Sequence, residues 1–98
     1  MSLFVKTDID IPLDIAAGFT LSDVAGMTVR LEKGSFSLTK TIGAGIVQHE
    51  QGFVMSIRRS EIQGVGLHRL YVRITDQGGR QRGIDAKPNT VEFVRFPI

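Results

Sequence analysis

The chain of 98 residues has no cysteine, no tryptophan and one tyrosine, Tyr71. Without cysteine, disulfides, thiolate zinc sites and iron–sulfur clusters are excluded. The two histidines, His49 and His68, have no partner at metal-ligand or catalytic spacing. No serine lies in a nucleophile-elbow motif. The sequence therefore predicts no cofactor, no metal site and no enzymatic activity.

Long hydrophobic runs are also lacking. The first residues, MSLFVKTDIDIP, do not contain the run of about 7–15 apolar residues that a signal peptide needs. No segment approaches the roughly 18 apolar residues of a membrane span. We therefore expect synthesis and folding in the cytoplasm. The length and the hydrophobic content of 42% predict a single domain over residues 1–98 with its own core.

The small net charge of +2 hides an uneven distribution. Residues 1–25 hold four aspartates and one lysine, whereas residues 58–98 hold seven arginines and one lysine against four acids. An acidic and a basic end on one small domain favour head-to-tail association. They favour nucleic acid less, because nucleic-acid binding generally needs a larger field of one sign.

Short alternating runs separated by glycine are typical of a β-sandwich or barrel. Residues 66–82, GLHRLYVRITDQGGRQR, predict a hairpin. The alternation predicts which side chains face the core: Met27, Val29, Leu31, Phe53, Met55, Ile57, Leu70, Val72 and Ile74. It also predicts that Phe36, Leu38 and Ile42 share one face. In the last strand, Thr90 to Phe96, either Val91 and Phe93 or Val94 and Phe96 face inward. The connection from Gly18 to Gly26 is expected to tuck Phe19, Leu21 and Val24 under the sheets.

Local signals predict the turns. Turns are predicted at Lys33-Gly34, Gln51-Gly52 and Lys87-Pro88-Asn89. The two glycines of Gly43-Ala44-Gly45 predict a break between strands. Asp76-Gln77-Gly78 fits a type I turn with Gly78 at positive φ. Ser60-Glu61-Ile62-Gln63 resembles a small capping box and predicts one short helical turn.

One cluster of side chains is a candidate site. Arg69 and Arg73 project from one strand face with Tyr71 between them, and Arg80 and Arg82 lie across the hairpin. Arginine and tyrosine are favoured at protein interfaces. A basic face with an interleaved aromatic also binds single-stranded nucleic acid. A plain solvated surface is the third alternative.

The strand from Ile9 to Ile15 is a second candidate contact. Asp10, Pro12 and Asp14 are predicted to face solvent, and Pro12 predicts an edge strand. With Asp8, these aspartates have part of the spacing of a calcium loop. The alternating aliphatic residues demand an extended strand instead.

Residues 20–86 resemble the small immunoglobulin-like domains of phage tail and baseplate proteins. The resemblance rests on Asp23, Gly26, Thr28-Val29, Leu31 and Lys33-Gly34, then the Gly52–Ile57 run, Gly64-Val65-Gly66 and Gly78-Gly79-Arg80. It implies an all-β, immunoglobulin-like antiparallel sandwich of about seven or eight strands. His68 stands where these domains tend to place a corner tyrosine, so we expect His68 to substitute for it rather than bind a ligand.

The resemblance also implies a function. The expected role is a non-enzymatic structural or assembly module of a phage or prophage tail or baseplate, located in the virion. Its partners would be copies of itself or other tail proteins, with contact residues Arg69, Tyr71, Arg73, Arg80 and Arg82. Carbohydrate binding and nucleic-acid binding are the alternatives. The first would need exposed aromatics that this sequence scarcely has.

Overall fold

The computed structural model describes residues 2–15, 24–49, 52–62, 64–84, 86–87 and 89–95. Ten strands account for most of them, and the all-β class is confirmed. The strands are β1 (Ser2–Phe4), β2 (Ile9–Ile15), β3 (Val24–Lys33), β4 (Phe36–Ile42), β5 (Gly45–His49), β6 (Gly52–Ile57), β7 (Gly66–Asp76), β8 (Gln81–Ile84), β9 (Ala86–Lys87) and β10 (Thr90–Val94).

The described strands form one hydrogen-bonded sheet that curls almost into a barrel. The order is β1-β10-β7-β3-β4-β5-β6-β2-β9, with β8 also paired to β7. Strand β8 pairs with β7, and strand β9 pairs with β2. The short stretch of chain that contains β8 and β9 therefore brings β7 and β2, which lie far apart in the strand order, close together. All pairs are antiparallel except β1 with β10 and β4 with β5. The two separate sheets of an immunoglobulin-like sandwich are not seen in this strand order.

Strand β7 pairs with three other strands of the sheet. Along one edge it pairs with β3 from Val24↔Asp76 to Glu32↔Arg69. Its other edge is shared, because β10 covers Gly66 to Arg69 and β8 covers Val72 to Thr75. Between them the Leu70 N–H donates to the carbonyl of Asn89 at 2.8 Å. Strand pairing along both edges therefore fixes which side chains of β7 face inward and which face outward.

The core fills the inside of the curled sheet, as the alternation predicts. Buried side chains come from six strands. They include Ile11 and Leu13, Met27, Val29 and Leu31, Phe53, Met55 and Ile57, and Leu70, Val72 and Ile74. In β10 the structure resolves the ambiguity, because Val91 and Phe93 are fully buried while Val94 is half-buried. At Pro12 the only described partner strand is β6, in agreement with an edge strand.

The predicted helical turn is wrong. No helix occurs in the described residues, and Arg58 to Ile62 form a hydrogen-bonded turn. The Glu61 N–H donates to the Arg58 carbonyl at 2.9 Å, and the Arg58 N–H donates to Glu61 Oε1 at 2.8 Å. The reciprocal cap therefore begins at Arg58 rather than Ser60, and the next strand, β7, begins at Gly66. Ile62, 2% exposed, then enters the core.

The predicted turn at Gly78 is displaced by one residue. Gly79, not Gly78, has positive φ, at 83°. Asp76 closes a loop of three residues, since its N–H donates to the Arg80 carbonyl at 2.9 Å and its carbonyl accepts the Gly79 N–H at 3.0 Å. Its Oδ1 also accepts the N–H groups of Gly78 and Arg80. The side chain of Asp76 thus fixes the loop over residues 77–79.

Gly43 and Gly45 form the predicted break, with φ of 86° and 104°. The turn between them carries the chain from β4 directly into β5, so the sheet bends here without a long loop. Several predictions lie outside the described residues: the packing of Phe19 and Leu21, the turns at Gln51 and Pro88, the role of Asp23, and the positions of Gln63, Phe96 and Pro97. Among the described residues, no helix is long and apolar enough to cross a membrane.

The hairpin turn supports a direct test. We expect Gly79→Ala to lower the free energy of unfolding by about 1 kcal/mol, because a Cβ is strained at positive φ. Gly78→Ala is the matched control, since its Cβ would lie 3.4 Å from Asp76 Oδ1 and its φ is not positive. Urea unfolding of both variants measures the difference. Equal losses would contradict the assignment of the loop.

Candidate interaction surface

The outward face of β7 carries the central residues of the predicted cluster. Leu70, Val72 and Ile74 point into the core, so Arg69, Tyr71 and Arg73 point outward. All three are exposed, and the tyrosine ring is 48% exposed. The predicted faces are therefore confirmed.

Strand β3 extends this surface. The register pairs Thr28 with Arg73, Arg30 with Tyr71 and Glu32 with Arg69. Side chains of directly paired residues lie on the same face with Cβ atoms about 5 Å apart. Arg30 therefore lies beside Tyr71, between the two arginines of β7. We call Arg30, Arg69, Tyr71 and Arg73 the basic face.

Sequence reasoning missed Arg30. Its position in β3 was predicted to face outward, but local alternation does not show which strand lies beside β7. The pairing of β3 with β7 joins residues about 40 positions apart, and no short motif in either strand encodes it.

An open groove runs along the basic face. It is lined by the outward residues of β3 and β7 and, on the other side, by Gly83, Ile84 and Asn89. Gly83 and Ile84 lie at the end of β8, and Asn89 lies just before the start of β10. Gly83 is paired with Arg73, and because glycine has no side chain, the groove stays open beside that guanidinium.

The charge of the basic face is only partly neutralised. Arg30 Nη1 lies 3.2 Å from Glu32 Oε1. Within the part of the chain that the structure describes, no ion pair is formed by Arg69 or Arg73. Both guanidiniums thus stay available to an acidic partner, for which their planar donors are well suited.

Arg80 and Arg82 are not part of this surface. Arg82 pairs with Ile74, so it leaves the sheet on the opposite face from Arg73. Its Nε lies 3.7 Å from Asp76 Oδ2. Arg80 is exposed in the turn, where its backbone bonds to Asp76, and neither residue lines the groove. The three-residue loop causes this, because it sets which residues of β8 oppose those of β7.

His68 is a packing residue. It is 2% exposed and meets the rings of Phe36 and Phe93 edge-on, at centroid distances of 5.7 and 4.8 Å. Its Nδ1 lies 3.0 Å from the Gly66 carbonyl, which can only accept, so Nδ1 donates. This bond orients the ring between Phe36 and Phe93. Among the described residues, no group of three or more His, Asp or Glu could hold a metal.

The aspartates near β2 have structural contacts or are exposed. Asp8 Oδ1 accepts the Arg59 N–H, and Asp10 Oδ1 accepts the Ser56 hydroxyl, both at 2.8 Å. Asp10, Pro12 and Asp14 all point outward from an extended strand. This geometry differs from the bent loop of a calcium site, in agreement with the sequence interpretation.

A second polar cluster joins β4 to the turn after β6. Lys40 Nζ bonds both carboxylate oxygens of Glu61, at 2.8 and 2.7 Å, and the two side chains are only 12% and 22% exposed. Lys40 is on the inner face, opposite Val29. A Cβ at Gly45 would collide with the Lys40 side chain, so the glycine gives it a path to Glu61. The pair anchors the turn that places Ile62 in the core.

The electrostatics of this pair shift the carboxyl. Burial raises the pKa of Glu61. The hydrogen bonds from Lys40 and the Arg58 N–H, together with the attraction of the Lys40 and Arg58 cations, lower this pKa by a larger amount. The net result is a pKa below the ordinary value of 4.5.

Comparison with known proteins finds no relative: no family model, no curated protein and no solved structure matches this chain.

The Lys40–Glu61 pair gives the fold a pH dependence. A depressed carboxyl pKa in the folded state stabilises the protein above the unfolded value, and this contribution is lost as pH falls through the folded value. We expect Glu61→Gln to cost about 1–2 kcal/mol at neutral pH, because Lys40 loses its charged partner. The cost should shrink below pH 4.5. Thermal melts of both proteins from pH 7 to pH 3 measure it, and a pH-independent difference would contradict the assignment.

Proposed function

We propose that this chain is a non-enzymatic assembly module that acts by protein–protein contact through its basic face. One observation carries the proposal. Two exposed guanidiniums without an ion pair among the described residues flank an exposed tyrosine on a rigid strand face. Arginine and tyrosine supply much of the binding energy at protein interfaces. The long strand pairing with β3 holds their backbone in place, so little backbone ordering is needed on binding.

The proposed setting is the tail or baseplate of a phage or prophage. Its support is the resemblance of residues 20–86 to the small immunoglobulin-like domains of such proteins, which also act in arrays. The all-β fold is compatible with that relationship. Partners in this setting are copies of the chain itself or neighbouring tail proteins.

Nucleic acid fits the same face less well. Stacking platforms for single strands generally use several exposed aromatic side chains. The basic face has only Tyr71, and Glu32 offsets part of its charge. A nucleic-acid complex would weaken steeply with salt, so a gel shift at low and high salt separates this alternative.

The test reverses the charge of the basic face. We expect Arg69→Glu with Arg73→Glu to weaken self-association in sedimentation experiments by more than about tenfold, because reversed charges repel an acidic partner surface. The control, Arg59→Glu with Arg95→Glu, makes the same change in net charge at exposed positions outside the basic face. It should associate like the wild type.

A second experiment tests whether the partner is a different protein. The chain is co-expressed with the products of its neighbouring genes, and complexes are purified in wild-type and variant form. The proposal is overturned if neither self-association nor a complex with these products depends on Arg69 and Arg73. Binding of single-stranded nucleic acid that is lost in the same variant would assign the face to that ligand instead.

A further inference from the structure

The outward face around β2 has a charge pattern that mirrors the basic face. Asp10, Pro12 and Asp14 are exposed alternate residues of one strand, like Arg69, Tyr71 and Arg73. In both strands the charged residues are four positions apart, about 13 Å in extended chain. In both, a ring-bearing residue lies between the two charges. The signs are opposite.

The two aspartates flank one end of an apolar strip. The register pairs Pro12 with Val54 and Val54 with Val47, so these three side chains lie across β2, β6 and β5 on the outer face. Val47 is 51% exposed, so an apolar side chain lies on the outer face in the middle of β5. We call Asp10, Pro12, Asp14, Val47 and Val54 the acidic face.

We propose that the acidic face binds the basic face of a second copy of this chain, head to tail. The proposal rests on the proposed function and names its partner. Tyr71 of one copy packs on the strip of Pro12, Val54 and Val47 of the next. Arg69 and Arg73 then meet Asp10 and Asp14. Apolar contact at the centre with charged pairs around it is the usual arrangement of a specific interface.

The positions of the two faces determine what forms. Along the strand order, four strands separate β7 from β2, and on the other side the β8–β9 stretch links the two strands. A contact of one basic face with one acidic face is heterologous, and it builds rings or open filaments. A stable interface covers about 800 Å² per partner. This is roughly an eighth of the 6338 Å² that the chain exposes. We expect the contact to include the outer side of β3 and β6 as well as the two strands.

The test exchanges charge between the two faces. The first variant carries Arg69→Glu and Arg73→Glu, and the second carries Asp10→Arg and Asp14→Arg. Each alone presents like charges on both faces, so we expect each to lose self-association by more than about tenfold. An equimolar mixture should associate again, because each variant then complements the other. Circular dichroism melts check that both variants are folded. We expect them to be, because all four side chains are exposed and the described hydrogen bond that is lost is the one from Ser56 to Asp10 at the surface.

The outcomes separate this inference from the proposed function. Association that is lost in the arginine variant but kept in the aspartate variant overturns only the head-to-tail contact. The same holds if the wild type is monomeric but binds a neighbouring gene product through Arg69 and Arg73. Failure of the mixture to associate, with both variants folded, also overturns the head-to-tail contact. Association that neither variant affects overturns both proposals.

Discussion

The register of β7 is the constraint on which the rest of the molecule depends. Leu70, Val72 and Ile74 must enter the core, and a slip of one residue would bury Arg69, Tyr71 and Arg73 instead. The slip is blocked from both edges, by β3 along one side and by β8 and β10 along the other. The same apolar residues that stabilise the fold therefore fix the position of every charge on its outer surface.

Features that depend on neighbouring residues could be predicted from the sequence. The faces of β3, β6 and β7 follow from strict alternation, and the break at Gly43 and Gly45 follows from glycine. The errors occur where a side chain bonds to the backbone. Asp76 moves the hairpin loop by one residue, and Glu61 caps Arg58 in place of the expected helix start. Neither the shift of the hairpin loop nor the shift of the cap can be predicted from composition or periodicity.

Pairing between distant segments could not be predicted. Arg30 joins the basic face because β3 lies beside β7, and Arg82 leaves it because the loop length sets its register. The curling of the sheet depends on β8 and β9 meeting opposite sides of it. Strand order is a property of the whole chain, whereas alternation belongs to each strand alone.

The parallel pairing of β1 with β10 has a consequence for the folding of the chain. Ser2 pairs with Glu92, so β1 leaves the ribosome about 90 residues before the strand with which it pairs. Synthesis of the residues between them takes on the order of ten seconds. During that time β1 has an unpaired backbone, and closing so long a loop is slow. Nascent chains on one messenger are therefore at risk of exchanging this strand, and its short length of three residues limits that risk.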